Sequence, residues 1–164
     1  MTAVIERTPS PVATSAAPVR KIPGGRTLGT FRCVVVSKNA RRLEMLEQSA
    51  FDGGWSTVVC SDETEAWTAV KRQRFQMAII DMDGVEDVEE LKALAEEVSQ
   101  STKTLLMLCG NEGNGLEEIW ARQLGSWLYL PGVTGGCDVA SLCEQAVPVA
   151  EKLNGVRNEK VSCQ

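Results

Sequence analysis

The 164-residue chain contains no histidine. That absence removes Ser-His-Asp and Cys-His nucleophilic sites, histidine phosphotransfer, imidazole metal ligation and any imidazole-based pH switch. Aromatic residues are scarce at 5%, and no apolar run approaches the roughly 18 to 20 consecutive residues that a bilayer-spanning helix needs. A soluble protein with no membrane partner is therefore expected. The six cysteines, Cys33, Cys60, Cys109, Cys137, Cys143 and Cys163, include no C-x-x-C pair and no zinc-finger spacing. No secretory apolar segment opens the chain, so a reducing, cytoplasmic setting is expected.

What is present is close to an average globular composition, with 43% hydrophobic and 24% charged residues. The charge is unevenly placed. Residues 1–31 carry Arg7, Arg20, Lys21 and Arg26 against Glu6, a balance of +3 within a total of −5, which leaves −8 on the rest. An acidic body argues against a nucleic-acid-binding face, because duplex binding rests on Lys and Arg neutralising phosphates. Four of the six prolines, Pro9, Pro11, Pro18 and Pro23, lie in the first 30 residues beside Gly24-Gly25. Residues 1–30 read as a disordered, basic, Pro-rich tail and residues 155–164 as a C-terminal tail, with one domain over 31–154. The same Arg-bearing, acid-poor start also suits an organellar transit peptide or a docking segment.

Between the tails, five strand-like runs alternate with five helix-period segments. Cys33 to Val36 is a short β-branched run followed by Asn39, a good N-cap, and by Leu43, Leu46 and Ala50 at helical spacing. Trp55 to Cys60 precedes Asp62-Glu63-Thr64-Glu65, an opening like a capping box, for a helix to about Arg74. Met77 to Ile80 ends at Asp81 and leads through Gly84 to a helix with Val88, Leu91, Leu94, Ala95 and Val98 on one face. Thr104 to Leu108 runs into Cys109-Gly110, a Gly-rich loop, and a short helix with Leu116, Ile119, Trp120 and Leu124. Trp127 to Leu130 ends at Pro131. The last helix places Val139, Leu142, Cys143, Ala146, Val149 and Leu153 inside, with Pro148 expected to kink it or weaken its final turns. Strands that read as continuous apolar runs imply a sheet covered on both faces, and alternation implies parallel crossovers. The fold class is a doubly wound five-stranded parallel α/β sheet, whose chemistry belongs at the carboxyl ends of the strands.

On these residues the chain resembles the receiver domain of two-component response regulators, over roughly residues 31–154. Val34-Val35-Val36 resembles the family's first strand, Met77-Ala78-Ile79-Ile80-Asp81 its third and Trp127-Leu128-Tyr129-Leu130-Pro131 its fifth. The resemblance implies a flavodoxin-like order of 2-1-3-4-5, Asp81 as the equivalent of the phosphoacceptor, and Trp127 as the equivalent of the switch aromatic. It also implies a cis peptide at Leu130-Pro131. Other positions depart from the pattern. Ser37 and Lys38 stand where the family has an acidic pair for Mg²⁺, Cys109 where it has a Thr or Ser, and Leu130 before Pro131 where it has a Lys. Mg²⁺ demands oxygen ligands, and bringing a phosphoryl group to a carboxylate requires neutralising several negative charges. Without acids at 37 and 38 the metal loses its anchors. Lys38 either pairs with Asp81 and holds the site in one state, or points into solvent while Asp81 caps its loop.

Three functions follow as expectations. The first is a non-enzymatic pseudo-receiver, a signalling or protein-interaction module with no cofactor and no metal. It would stand alone as an adaptor and meet protein partners, or a second copy of itself, through the face of helix four, strand five and helix five. The second is a working phospho-receiver with Asp81 as acceptor, in which Asp83 or Glu112 supplies oxygens to Mg²⁺. The third is an unrelated doubly wound nucleotide-binding protein or enzyme, since fold does not fix function. The run Gly110-Asn111-Glu112-Gly113-Asn114-Gly115 lacks the Lys-Ser/Thr of a phosphate-binding loop and reads as a flexible connection. Cys60 and Cys109 fall on separated strands, roughly 14 Å apart at about 4.8 Å per strand, too far for a shared disulfide. Cys109 reads as a small buried hydrophobe.

Overall fold

In a computed structural model, which describes residues 31–133 and 136–156, the chain forms five parallel strands and five helices in strict alternation. The expected tail 1–30 lies outside the described residues, as does the C-terminal tail beyond residue 156. The strands are β1 (Arg32–Val36), β2 (Ser56–Cys60), β3 (Met77–Asp81), β4 (Leu105–Gly110) and β5 (Leu128–Pro131). The helices are α1 (Ala40–Asp52), α2 (Glu63–Arg72), α3 (Glu89–Ser99), α4 (Gly115–Leu124) and α5 (Gly136–Leu153). Strand order is β2-β1-β3-β4-β5, as the sequence reading expects. The three central strands are almost wholly buried, which is why they read as continuous apolar runs.

Side chains alternate between two cores. On one face Val34, Val36, Ala78, Ile80, Leu106 and Leu108 meet Leu91, Leu94, Ala95 and Val98 of α3, with Ala66 of α2 and Ala121 of α4 beside them. On the other, Cys33, Val35, Met77, Ile79, Met107 and Cys109 meet Leu46 and Ala50 of α1 and Val139, Cys143, Ala146 and Ala150 of α5. Each fully buried Leu, Ile or Val contributes about 1.5–3 kcal/mol of transfer free energy. The Trp55 indole, 0% exposed, donates to the Cys143 carbonyl at 2.8 Å and ties the α1–β2 turn to α5.

Local signals place the helix starts. Asn39 accepts the Arg42 N–H at 3.1 Å, and Asp62 accepts the Glu65 N–H at 2.8 Å while Glu65 reaches back to the Ser61 N–H. α5 continues through Pro148 to Leu153, with Ala146 and Ala150 on either side seated against the sheet. Leu153 is 40% exposed rather than inward. In α4, Leu116 and Ile119 face out at 81% and 53% exposure, while Glu117 and Ala121 are buried and Trp120 and Leu124 pack partly buried against the core. Cys60 and Cys109 fall on non-neighbouring strands, each a free buried thiol.

The end of α1 lies tight against α5 at its C-cap, Gly53. A Cβ there would lie 2.5 Å from the Cys143 Cβ and 2.9 Å from the Glu144 nitrogen. Its φ of −74° suits alanine, so Gly53→Ala is a purely steric test of this contact. The substitution is expected to cost about 1–3 kcal/mol, read as a lower urea midpoint with unchanged slope.

Candidate functional site

The carboxyl ends of β1, β3 and β4 bring three of the singled-out positions together. Ser37 follows β1, Asp81 is the last residue of β3, and Cys109 lies opposite Asp81 in the β3–β4 register. Asp81 is 1% exposed, a carboxylate sunk into the edge of an apolar sheet. An ionised carboxyl there requires donors. The Ser37 hydroxyl, itself 1% exposed, donates to Asp81 Oδ2 at 2.7 Å and accepts the Asn39 N–H at 3.2 Å. The Asp83 N–H donates to Asp81 Oδ1 at 3.2 Å.

The remaining donor is Arg42, which the sequence reading missed. Asn39 caps α1, so Arg42 occupies the third helical position, and its side chain crosses the strand ends. Its Nη2 donates to Asp81 Oδ1 at 2.7 Å, and its Nη1 donates to Asp83 Oδ2. A planar guanidinium with several divergent N–H groups suits this bridge between two carboxylates better than an ammonium would. Arg42 Nε is buried with no hydrogen-bond partner, so the fork engages through its outer nitrogens alone. A cation three residues after an N-cap at a strand-to-helix turn was the available sequence signal.

Lys38 does not pair with Asp81. It turns outward to Glu63 at the start of α2, which raises its pKa, with Asp87 and Glu90 adding to the field. The expected pinning cation is present but comes from α1, because position 38 follows the buried Ser37 and faces solvent. Burial lifts the Asp81 carboxyl above the ordinary aspartate range. Ser37, Arg42 and the Asp83 N–H pull it back, and the net shift remains upward.

The other positions surround this group without adding a donor. Cys109 is 0% exposed, and burial, reinforced by the Asp81 charge, pushes its thiol far up, which leaves it inert as a nucleophile. Leu130 lies opposite Cys109 and packs into the α1/α5-side cluster, as Trp127 does. Pro131, exposed, lies opposite Gly110, and there is no cis peptide among the described residues, so the implied cis Leu130-Pro131 is corrected to trans. Glu112 is exposed on the loop beyond β4.

A divalent cation at this place would have the Asp81 and Asp83 carboxylates to bind, and Arg42 holds both. Among the described residues no group of three His, Cys, Asp or Glu gathers as a metal site. In this arrangement the Arg42 guanidinium supplies the positive charge between the two carboxylates. Among the described residues no helix is long and apolar enough to cross a membrane.

No protein-family model matches the chain, nor does any curated protein sequence. Solved structures match it in fold. A CheY-like response regulator receiver domain protein from Methanospirillum hungatei JF-1 superposes with a TM-score of 0.64 at 15% identity, covering 74% of this chain and 97% of that one. The signal receiver domain of a putative LuxO repressor protein from Vibrio parahaemolyticus gives 0.65 at 14% identity, covering 77% and 97%. NtrX from Brucella abortus, in complex with ATP, gives 0.65 at 16% identity, and there the match covers 77% of this chain but 29% of NtrX. The chain has the receiver fold, in the flavodoxin-like order.

Arg42→Ala is expected to destabilise the protein by about 2–3 kcal/mol near neutral pH, below the full figure for a buried pair because Arg42 keeps some solvent contact. Lys38→Ala is expected to leave the denaturation midpoint in place. A carboxyl whose folded-state pKa lies above its unfolded value binds a proton on folding, so it favours the fold at pH below that window and disfavours it above. Removing the Arg42 charge raises Asp81 further. The deficit of Arg42→Ala is therefore largest at neutral pH and narrows as pH falls toward the ordinary aspartate value, measured by urea melts across pH 4–7.5.

Proposed function

We propose that the chain is a pseudo-receiver, a non-enzymatic signalling and protein-interaction module that keeps the receiver fold and replaces metal and phosphoryl chemistry with an internal cation. The observation that carries this reading is the Arg42 fork across Asp81 and Asp83. A carboxylate that serves as a phosphoryl acceptor must present an oxygen to an incoming phosphorus in line with a leaving group. Here Asp81 Oδ1 takes Arg42 and the Asp83 N–H, Oδ2 takes the Ser37 hydroxyl, and 1% exposure leaves no approach. Ser37 at the position of an acid and Leu130 at the position of a Lys point the same way.

On this reading no Mg²⁺ is used, and signalling passes through contacts with a protein partner or a second copy on the face of α4, β5 and α5. The negative balance beyond residue 31 favours protein over nucleic acid as that partner. Four free buried thiols, Cys33, Cys60, Cys109 and Cys143, suit a reducing, cytoplasmic setting.

The test is intact mass after incubation with Mg²⁺ and a small-molecule phosphodonor, with Asp81→Asn as control. Wild type is expected to gain no phosphoryl group. A single addition to wild type that is missing from Asp81→Asn would make Asp81 a working acceptor and end this reading.

A further inference from the structure

Helix α4 is held to the sheet differently from its neighbour. α3 buries Leu91, Leu94, Ala95 and Val98, whereas α4 buries Ala121 and one charged residue, Glu117. Trp120 and Leu124 are only partly buried, and Leu116 and Ile119 face out. Glu117 is 5% exposed in the first turn of the helix. Its Oε1 accepts the Tyr129 hydroxyl at 2.9 Å and the Asn111 N–H at 3.3 Å. Asn114 caps the helix by accepting the Glu117 N–H at 3.1 Å. One buried carboxylate thus joins β5, the connection after β4, and α4.

The join closes over Gly110. A Cβ at that position would lie 2.1 Å from the Tyr129 hydroxyl oxygen and 2.2 Å from Glu117 Oε1, so only glycine leaves room. The Tyr129 hydroxyl is committed to this role: burial raises its pKa well above the ordinary phenol, and the bond to Glu117 raises it further. A carboxylate is strongly disfavoured inside without donors, so loss of the hydroxyl removes much of what keeps Glu117 in place. With Gly110, Gly113 and Gly115 in and around the connection and few buried apolar anchors, residues 110–124 have the character of a low-stability unit.

We propose that the Tyr129–Glu117 bond is a latch that pins α4 and the 110–114 connection to the sheet, and that its release opens residues 110–124 separately from the rest of the domain. The opening would mobilise the exposed Leu116 and Ile119 together with the helix that carries them. The latch shares no residue with the Arg42 group, so it stands or falls independently of the pseudo-receiver reading.

Hydrogen–deuterium exchange with peptide resolution on the full chain tests this, comparing wild type with Tyr129→Phe, which removes one oxygen and keeps the ring. Amides of 110–124 are expected to exchange about tenfold or more faster in Tyr129→Phe, while those of β1 and β3 keep wild-type rates. Glu117→Gln retains a side-chain oxygen to accept the hydroxyl and is expected to stay closer to wild type than Tyr129→Phe. Wild-type exchange over 110–124 in Tyr129→Phe would overturn the latch, and so would an acceleration equally large in β1 and β3.

Discussion

Asp81 ends the central strand of the sheet at 1% exposure, and a carboxylate in that position carries a desolvation cost that apolar packing cannot relieve. Its donors come from three separate places: Ser37 at the end of β1, Arg42 on α1, and the backbone of the β3–α3 connection. The same fork engages Asp83, so α1 is tied both to the strand end and to the loop beyond it. One buried charge therefore sets how α1, β1 and the β3–α3 connection meet, which makes the polar edge as specific as the apolar core beneath it. An electrostatic group of this kind has one well-matched arrangement, whereas an apolar surface tolerates sliding.

The polar groups at this edge divide by their source of charge balance. Around Asp81 a cation neutralises two carboxylates, and burial raises the Asp81 carboxyl even so. Around Glu117, among the described residues, no cation takes part; a phenol and a backbone N–H carry the carboxylate, and the helix start that holds it adds a favourable field. The first arrangement joins elements that are already packed by Leu46, Ala50 and the central strands. The second joins α4, whose apolar residues lie half outside the core. The consequences of losing a hydrogen bond thus differ between the two, because what surrounds each bond differs.

Much of the fold was legible in the sequence. The β-branched and apolar runs at Val34–Val36, Met77–Ile80 and Leu105–Leu108 could be satisfied only inside a sheet covered on both faces, and Asn39 and Asp62 marked helix starts by their side-chain oxygens. The seating of α4 was not legible, because of Leu116, Ile119, Trp120 and Leu124 at helical spacing only the last two pack against the core. Glu117 is buried beside them, and its donors, the Tyr129 hydroxyl across the sheet edge and the Asn111 N–H, come together only in the fold.

At the site, the sequence by itself determined where the chemistry would gather, because strand ends in a doubly wound sheet converge on one edge, and it placed Ser37, Asp81 and Cys109 there. It left Lys38 either paired with Asp81 or turned to solvent. Packing between separate elements brings Arg42 there instead. The seating of α1, set by Leu46 and Ala50 packing on β1 and β3, points Arg42 across the strand ends, while Lys38, ahead of the Asn39 cap, turns to Glu63. Direction in space around a helix is fixed by what the rest of the chain packs against, and no local pattern contains that information.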